Sequence, residues 1–426
     1  MQSAWRSYHE KMSQELSLAQ AIIEREKQYL VQNYSRYPLA LRRGKGSFVF
    51  GFDGKRYLDL ITGIGVNALG HAHPRVLKVL REQAGLLIHC SNLYYHEYQG
   101  LLAERLAKVS GLARSFFCNS GTEAVECALK MARAHGGPGK HELVAFENSF
   151  HGRTMGALSL TGQQKYRQDF EPLVPGVKFV PFNDDAALGA AISDNTAGVI
   201  LEVIQGEGGI YPISERLARR VRELCDRHNA LLIFDETQCG VGRPGTYFSY
   251  QRFDPAVLPD VMVAAKPIAL GLPLGFVSAN EKAAAAIKAG MHGSTFGGGP
   301  LACRVALEFF EIFDELLPNI RARSEQFQTK LAGLAAKYEF VKEVRVHGLM
   351  IGVELHMPGK QLVFDAIDKG LLMNCTHDVV LRFLPPYTIS EAEVDRAVSI
   401  LDRVFKKGAN YYKEHAKQAG SAYALA

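Results

Sequence analysis

The 426-residue chain holds one tryptophan, an odd seven cysteines and no Cys-x-x-Cys pair. The cysteines are scattered at 90, 118, 127, 225, 239, 303 and 375. Such usage indicates neither a zinc site nor a disulfide framework, and fits a reducing compartment. Lys and Arg total 49 against 44 Asp and Glu, a net charge of +5, with no basic block dense enough for a nucleic-acid patch. The opening residues, MQSAWRSYHEKMSQELSLAQ, lack an apolar core and include acids, so they read as neither a secretory signal nor a transit peptide. A cytoplasmic protein is expected. Repeats and low-complexity tracts are missing too. One stretch, DVMVAAKPIALGLPLGFVSAN (260–280), has the length of a membrane span. Pro267, Gly271, Pro273 and Gly275 interrupt it, and its rhythm is not helical. It reads as a buried strand, a turn and a second strand, which excludes the membrane reading.

The chain does have 47% hydrophobic and 22% charged residues, enough for a large core and more than one lobe. Residues 10–32 read as a polar helix. GSFVFGFDGKRYLDL (46–60) reads as a hairpin turning at Asp53-Gly54. Between about 74 and 300, helices (74–88, 97–109, 121–135, 214–229, 280–289) alternate with short apolar strands (115–118, 142–146, 177–180, 198–204, 230–234, 261–265, 275–278). Such alternation implies an α/β lobe with a mostly parallel sheet. Past Pro300, helices at 301–317 and 321–338, strand-like KEVRVHGLMIGVEL and a last helix from a Ser390–Glu393 capping box suggest a smaller α+β lobe. The expected division is an N-terminal segment belonging to the small domain (1–65), a large domain (66–304) and a C-terminal small domain (305–426).

Several segments carry candidate chemistry. FFCNSGTEAVECALKMARAH (116–135) is a strand, a tight Ser-Gly-Thr turn and an amphipathic helix. Free N–H groups at a helix start, with the hydroxyls of Ser120 and Thr122, form an anion pocket. Ordinary N-capping is the plain alternative, and Gly121, which permits close backbone approach, favours phosphate. ALLIFDETQCGVGRPG (230–245) ends a strand with Asp235 and Glu236, where open α/β sheets bind ligands. Its literal GxGxxG at Gly240, Gly242 and Gly245 is a decoy, because TYFSYQRFD opens no convincing helix after it. ENSFHGRTMGALSLTG (147–162) places Phe150, a histidine and Arg153 in one loop. Arg153 there is either a bidentate carboxylate grip or a solvated loop residue. GHAHP (70–74) has a histidine pair without acidic partners in the segment and reads as a structural turn, with no metal assigned.

Lys266 ends the buried strand within the apolar stretch. Desolvation there lowers an amine's pKa towards neutrality, as a Schiff-base lysine requires; snorkelling from a strand end is the plain alternative. Together the segments offer a phosphate cup, an acid for a pyridinium nitrogen, an aromatic ring face and a reactive amine. That set converges on pyridoxal phosphate.

From KGSFVFGFDGKRYLDL to LRFLPPYTISEAEVD the chain resembles the class III, ornithine-type aminotransferases of the fold type I pyridoxal-phosphate enzymes. VNALGHAHP, NSGTEAVE, FHGRTMGALS, EVIQGEGG, DETQCGVGR, PDVMVAAKPIALGLPLG, HGSTFGGGPLAC and LRFLPP carry the resemblance in order. GVNALGHAHP and KYRQDFEPLVPGVKFVPFND are most similar to the acetylornithine branch. The resemblance implies a large domain with a mostly parallel seven-stranded sheet flanked by helices. It implies that Lys266 carries pyridoxal 5'-phosphate as a Schiff base and shuttles the proton. Asp235 would pair with the pyridine nitrogen, Gln238 lie near the phenolic oxygen, and Ser120, Gly121 and Thr122 cup the phosphate. Phe150 would stack on the ring. Ser294 and Thr295 would reach the phosphate of a neighbouring subunit, implying a homodimer.

On the same resemblance, Arg153 would hold the distal carboxylate of both substrates and Arg382 the second carboxylate of 2-oxoglutarate. Glu207 would mask Arg382 in the other half-reaction, because a buried unpaired charge is costly. Ile64, apolar where ornithine enzymes have a tyrosine, favours an acylated amine. The implied reaction is transfer of the amino group of N2-acetylornithine to 2-oxoglutarate. Rival donors within the class are succinylornithine, succinyl-diaminopimelate, a lysine-pathway precursor, ornithine and 4-aminobutyrate. A mutase or racemase would not need the Glu207–Arg382 pair, and a catalytically silent relative would not need Lys266 and Asp235. The chain departs from the family pattern at Thr237, Val203, Phe276, Leu270 and Gly299, and in following Lys266 with Pro267.

Overall fold

Strands of four to seven residues, rich in Val, Ile, Leu and Phe and most of them largely buried, recur between Arg114 and Ala279 and assemble into one seven-stranded sheet. A computed structural model describes residues 17–423. The strands are β1 (Arg114–Cys118), β2 (Glu142–Phe146), β3 (Val177–Val180), β4 (Thr196–Glu202), β5 (Leu231–Asp235), β6 (Val261–Ala264) and β7 (Gly275–Ala279). Their spatial order is β1-β7-β6-β5-β4-β2-β3. Only β7 runs antiparallel to its neighbours, β6 and β1. All residues of β4, β5, β6 and β7 are buried. Helices covering both faces remove the polar alternation a half-exposed strand would show. In register, Asp235 of β5 stands beside Glu202 of β4 and Val263 of β6. The carboxyl ends of the parallel strands thus open onto one edge, the place where such sheets bind ligands.

The long stretch 260–280 is β6, a 3₁₀ turn (Lys266–Ala269) and β7, as the sequence implies. Among the described residues no helix is long and apolar enough to cross a membrane. Helix α1 (Gly121–Gly136) follows β1 after a turn capped by Ser120, whose Oγ accepts the Glu123 N–H at 3.3 Å. The helix expected at 10–32 is seen over 17–29; its earlier residues lie outside the described residues. The hairpin also holds, with Gly54 at φ 74 and the Lys55 N–H on Asp53 Oδ1 at 3.0 Å. The helix expected over 280–289 ends at Ala284, where bonds tighten to i→i−3 at Ala286 and Ile287 before Gly290 at φ 87.

The two helices expected after Pro300 are one, α2 (Pro300–Lys337), which runs through Pro318. An internal proline costs about 3 kcal/mol. Burial of Phe309, Phe310 and Phe313 before it, and Ile320, Phe327 and Leu331 after it, keeps one apolar face continuous across the break. Asn319 also donates to the Tyr387 and Ile389 carbonyls at 2.7 and 3.1 Å. Beyond α2 lies a four-stranded antiparallel sheet of β8 (Val341–His347), β9 (Met350–Leu355), β10 (Asn374–Thr376) and β11 (Val380–Phe383), in the order β8-β9-β11-β10. Helix α3 (Glu391–Tyr423) starts at the expected capping box: Ser390 Oγ accepts the Glu393 N–H at 3.3 Å, and Glu393 Oε2 accepts the Ser390 N–H at 2.8 Å. The N-terminal strands do not stand alone, because Arg56–Asp59 pairs in parallel with Leu371–Leu372.

Gly275, the first residue of β7, presses on the turn before α1. A Cβ built there would meet the Ser120 carbonyl oxygen at 2.4 Å and its carbon at 2.7 Å. Backbone cannot yield as a flexible side chain does. Gly275→Ala is therefore expected to destabilise the fold by about 1–3 kcal/mol, read as a lower denaturant midpoint. An unchanged midpoint would show that the turn relaxes freely.

Candidate active site

Ser120, Gly121, Thr122, Phe150, Arg153, Asp235, Gln238 and Lys266 all line one cleft of about 460 Å³ at the strand ends. The geometry follows from short loops leaving β1, β2, β5 and β6 on the same edge. Asp235, 3% exposed, ends β5. Its Oδ1 accepts the Thr237 N–H at 2.9 Å, and its Oδ2 lies 2.8 Å from Nδ1 of the buried His151. The carboxylate is thus fixed by one backbone donor and one ring. Lys266 follows β6 with φ 21, a rare backbone for a residue with a side chain. Burial lowers its amine pKa, while the Glu207 and Asp235 carboxylates pull it partly back. The amine is therefore more easily deprotonated than a surface lysine.

The mouth of α1 supplies free N–H groups, and small residues keep it open. A Cβ on Gly121 would meet Thr237 Cγ2 at 2.6 Å, and one on Gly152 (φ 137) would meet Thr122 Oγ1 at 2.2 Å. Glu126 holds the facing loop by accepting from Thr154 Oγ1, Gly156 N and Ala157 N at 2.6, 2.9 and 3.2 Å. Phe150 meets Tyr166 edge-on at 5.9 Å between centroids, and Arg153, exposed at the cleft, stacks 4.2 Å over Tyr166.

Glu207, in the turn after β4, and Arg382, on β11, are brought together. Arg382 Nη1 lies 2.5 Å from Glu207 Oε1 and donates to Gln238 Oε1 at 2.9 Å, and its Nε donates to Asn374 Oδ1 at 3.2 Å. Burial raises the Glu207 pKa, but the guanidinium outweighs it and holds the carboxyl below its ordinary value. Ser294 and Thr295 lie outside this cleft. Ser294 Oγ accepts from Asn119 Nδ2 and Gly297 N, both at 3.1 Å, and Thr295 is exposed. Ile64 also stands outside the cleft lining, 40% exposed, while Val66 of the same segment lines it.

Two residues given no role from sequence belong to the site. His151 was visible only as a loop histidine. Glu202 ends buried β4 as Asp235 ends β5, so the same strand-end reasoning reaches it. Glu202 accepts the N–H of Phe150 at 3.0 Å and of Gly206 at 2.9 Å. His71, read as lacking an acidic partner, has one from outside its segment: Asp59 Oδ2 at 2.8 Å.

These residues fit pyridoxal phosphate. The glycine-cleared mouth of α1 suits a dianionic phosphate, Asp235 suits a protonated ring nitrogen, and Lys266 presents an amine in the same cleft. Burial pushes Glu202 up to about 7, above the ordinary carboxyl value of about 4.3. The native state then holds a proton that the unfolded chain has released. The stability this gives is greatest below the unfolded value and falls as pH rises through 7. Glu202→Gln should gain on the parent by on the order of 2 kcal/mol between about pH 5 and about pH 8. Denaturant unfolding across that range would test it; a constant difference would mean that Glu202 stays ionised.

The family model for aminotransferase class-III matches residues 29–405. Acetylornithine aminotransferase of Methanocaldococcus jannaschii is 46% identical over 389 residues, covering 90% of this chain and 97% of the relative. That of Aquifex aeolicus is 45% identical over 380 residues, covering 88% and 99%. Among solved structures, the ornithine aminotransferase from Toxoplasma gondii matches with a TM-score of 0.88 at 30% identity, covering 92% of this chain and 96% of that one. N-acetylornithine aminotransferase from Stenotrophomonas maltophilia matches at 0.79 and 34%, covering 91% and 100%. With the sheet and cleft described above, these likenesses make the chain a member of the class-III aminotransferases, fold type I transaminases that depend on pyridoxal phosphate.

Proposed function

We propose that the enzyme moves the terminal amino group of N2-acetylornithine to 2-oxoglutarate, giving N-acetylglutamate 5-semialdehyde and glutamate. The observation that carries the reading is the Glu207–Arg382 pair, in which the arginine is 1% exposed and its counter-ion side chain is 23% exposed. A transaminase of this kind accepts two dissimilar molecules in turn. The amino donor bears no carboxylate on its reacting carbon, whereas 2-oxoglutarate does. Glu207 covers Arg382 for the first and leaves it for the second, so the guanidinium is never buried alone. Arg153 holds the carboxylate at the far end of either substrate. The names of the relatives support the acetylated donor, and apolar Ile64 at the rim offers nothing to a free α-amino group.

Pyridoxal phosphate, when bound, supplies the electron sink that makes the substrate's C–H acidic. The residues of this chain do the rest. Lys266, its amine lowered by burial, takes the substrate proton and returns it. Asp235, oriented by His151, keeps the ring nitrogen protonated. Ser120, Gly121 and Thr122 would bind the phosphate, Phe150 would cover a ring face, and Gln238, which accepts from Arg382 Nη1 at 2.9 Å, would hold the phenolic oxygen side.

The active unit is proposed to be a homodimer in the cytoplasm. Leu86, Ile88, Leu93, Tyr94, Tyr95 and Phe296 are all more than half exposed. The loop that carries Leu93 and Tyr94 is tied to the 294–297 loop, because Asn92 Nδ2 donates to the Ser294 and Gly297 carbonyls at 3.1 and 3.0 Å. Ser294 and Thr295 thus stand amid exposed apolar surface, where a second copy would receive them. Seven unpaired cysteines fit a reducing setting. The pairing of Arg56–Asp59 with Leu371–Leu372 supports grouping 1–65 with 305–426 as a small domain beside 66–304.

Purified protein given pyridoxal phosphate should develop the visible absorbance of a lysine-bound cofactor. Lys266→Ala should lose that band, with turnover down about 10³-fold or more. Retention of the band would refute the assignment of Lys266. In a panel with 2-oxoglutarate, acetylornithine should outperform ornithine and 4-aminobutyrate; a clear preference for ornithine would sink the Ile64 argument. Light scattering should give a dimer, and Tyr95→Glu should shift it towards monomer; a wild-type monomer would remove the shared-site reading.

A further inference from the structure

The Glu207–Arg382 pair joins two separately built pieces. Glu207 sits in the turn after β4 of the large sheet, and Arg382 on β11 of the C-terminal sheet. An ion pair that opens and closes in every cycle cannot by itself keep those pieces in register. Contacts to the backbone of the turn, distinct from the ion pair, do so. Thr376 on β10 donates its hydroxyl to the Glu207 carbonyl at 2.7 Å. Arg345 on β8 donates through Nε and Nη2 to the Gly209 carbonyl at 3.2 and 2.8 Å. Arg345 is itself buried, pairs with Glu354 of β9 at 2.5 Å, and lies 3.9 Å over the Tyr211 ring. The Tyr211 hydroxyl bonds Glu354 in turn.

The large-sheet side is pinned too. Glu202 accepts the Gly206 N–H at 2.9 Å, and Gln205 Nε2 donates to the Glu147 carbonyl at 2.8 Å. Gly209 (φ 115) leaves no slack, since a Cβ there would meet the Tyr211 ring at 2.8 Å. The backbone on both sides of Glu207 is held by bonds that survive when its carboxylate leaves Arg382. Thr376 Oγ1 lies 3.4 Å from Glu207 Oε2, close enough to bias the side-chain rotamer as well.

We propose that Thr376 and Arg345 are positioning residues of the two-substrate reaction, which fix the backbone of the Glu207 turn so that only the Glu207 side chain rotates when one substrate class replaces the other. The proposal rests on the reading of Glu207 and Arg382 given above. Without the Thr376 donor, the turn loses the anchor at Glu207 itself and Glu207 holds Arg382 less firmly. A dicarboxylate then meets less competition at Arg382, while the amino donor, which needs Arg382 covered, fares worse. A merely structural loss would weaken both together.

The test uses the dimeric holoenzyme, with glutarate as a non-reacting dicarboxylate probe followed by calorimetry and each half-reaction followed separately by rapid mixing. Thr376→Val should bind glutarate about five-fold tighter and slow the acetylornithine half-reaction by a similar factor, the scale of one neutral hydrogen bond. Arg345→Lys, which cannot make the two-pronged contact, should move both quantities in the same directions. Thr376→Ser keeps the donor and should match the parent. Equal behaviour of parent, Thr376→Val and Arg345→Lys overturns the proposal, as do parallel losses in both half-reactions or a Thr376→Ser enzyme shifted like Thr376→Val. Arg382→Gln separates the two ideas: if it binds glutarate as the parent does, the reading of Arg382 itself fails.

Discussion

An arginine that is 1% exposed must have its charge answered at every moment, and the answer here is a carboxylate on the turn after β4. That constraint organises much of the molecule. It requires β11 to meet the turn after β4, and so requires the C-terminal sheet to dock on the open edge of the large one. It puts Gln238 where its oxygen can share the guanidinium at 2.9 Å and its nitrogen can face Glu207 at 3.4 Å. A pair buried this way adds little net stability, because desolvation offsets attraction. On the function proposed above, its value lies in selection, since one cation can serve two substrate classes only if its counter-ion can withdraw.

The same economy of placement governs the strand ends. Glu202 and Asp235 stand side by side on β4 and β5, and two carboxyls so close resist ionising together. Their partners divide the work. His151 and the Thr237 N–H hold Asp235, whereas Glu202 receives only backbone N–H groups of Phe150 and Gly206. Burial raises Glu202 while Asp235 keeps an imidazole partner. Glu202 also ties the Phe150 loop and the Glu207 turn to one buried side chain.

Much of this was legible in the sequence, because strand-end chemistry leaves local marks. Asp235 and Lys266 each close an apolar run, and Ser120-Gly121-Thr122 opens an amphipathic helix, so segment-by-segment reasoning reaches them. The long-range partners were not legible by that route. Nothing near Arg382 in the chain points to Glu207, and nothing near Thr376 points to the Glu207 carbonyl. His151 needed β5 beside its loop before its ring acquired a function. The error at Pro318 has a related cause: local propensity ends a helix at proline, but a continuous buried face decides otherwise once α2 has a core to lie on.

The decoy glycines near 240–245 acquire their meaning from the same long-range view. Gly242 (φ 92) gives clearance rather than a phosphate loop, since a Cβ there would meet the Phe313 ring of α2 at 2.3 Å. Arg243, next in line, is fully buried and donates to the carbonyls of Leu349 at 3.2 Å, Gly65 at 3.3 Å and Pro385. One of those carbonyls belongs to a left-handed run, with φ of 48 at Thr62, 66 at Gly63, 61 at Ile64 and 83 at Gly65. A β-branched residue in that region costs about 1–2 kcal/mol, so the run persists only because its surroundings dictate it. Asp59 Oδ1 accepts from the N–H groups of Ile61 and Thr62 at 3.0 and 2.8 Å, and the Thr62 hydroxyl donates to the Leu384 carbonyl at 2.7 Å. The strain thus sits at the rim of the cleft, where it turns Val66 inward and leaves Ile64 outward. A feature that mimics a dinucleotide motif is instead an anchor for the segment that borders the cleft.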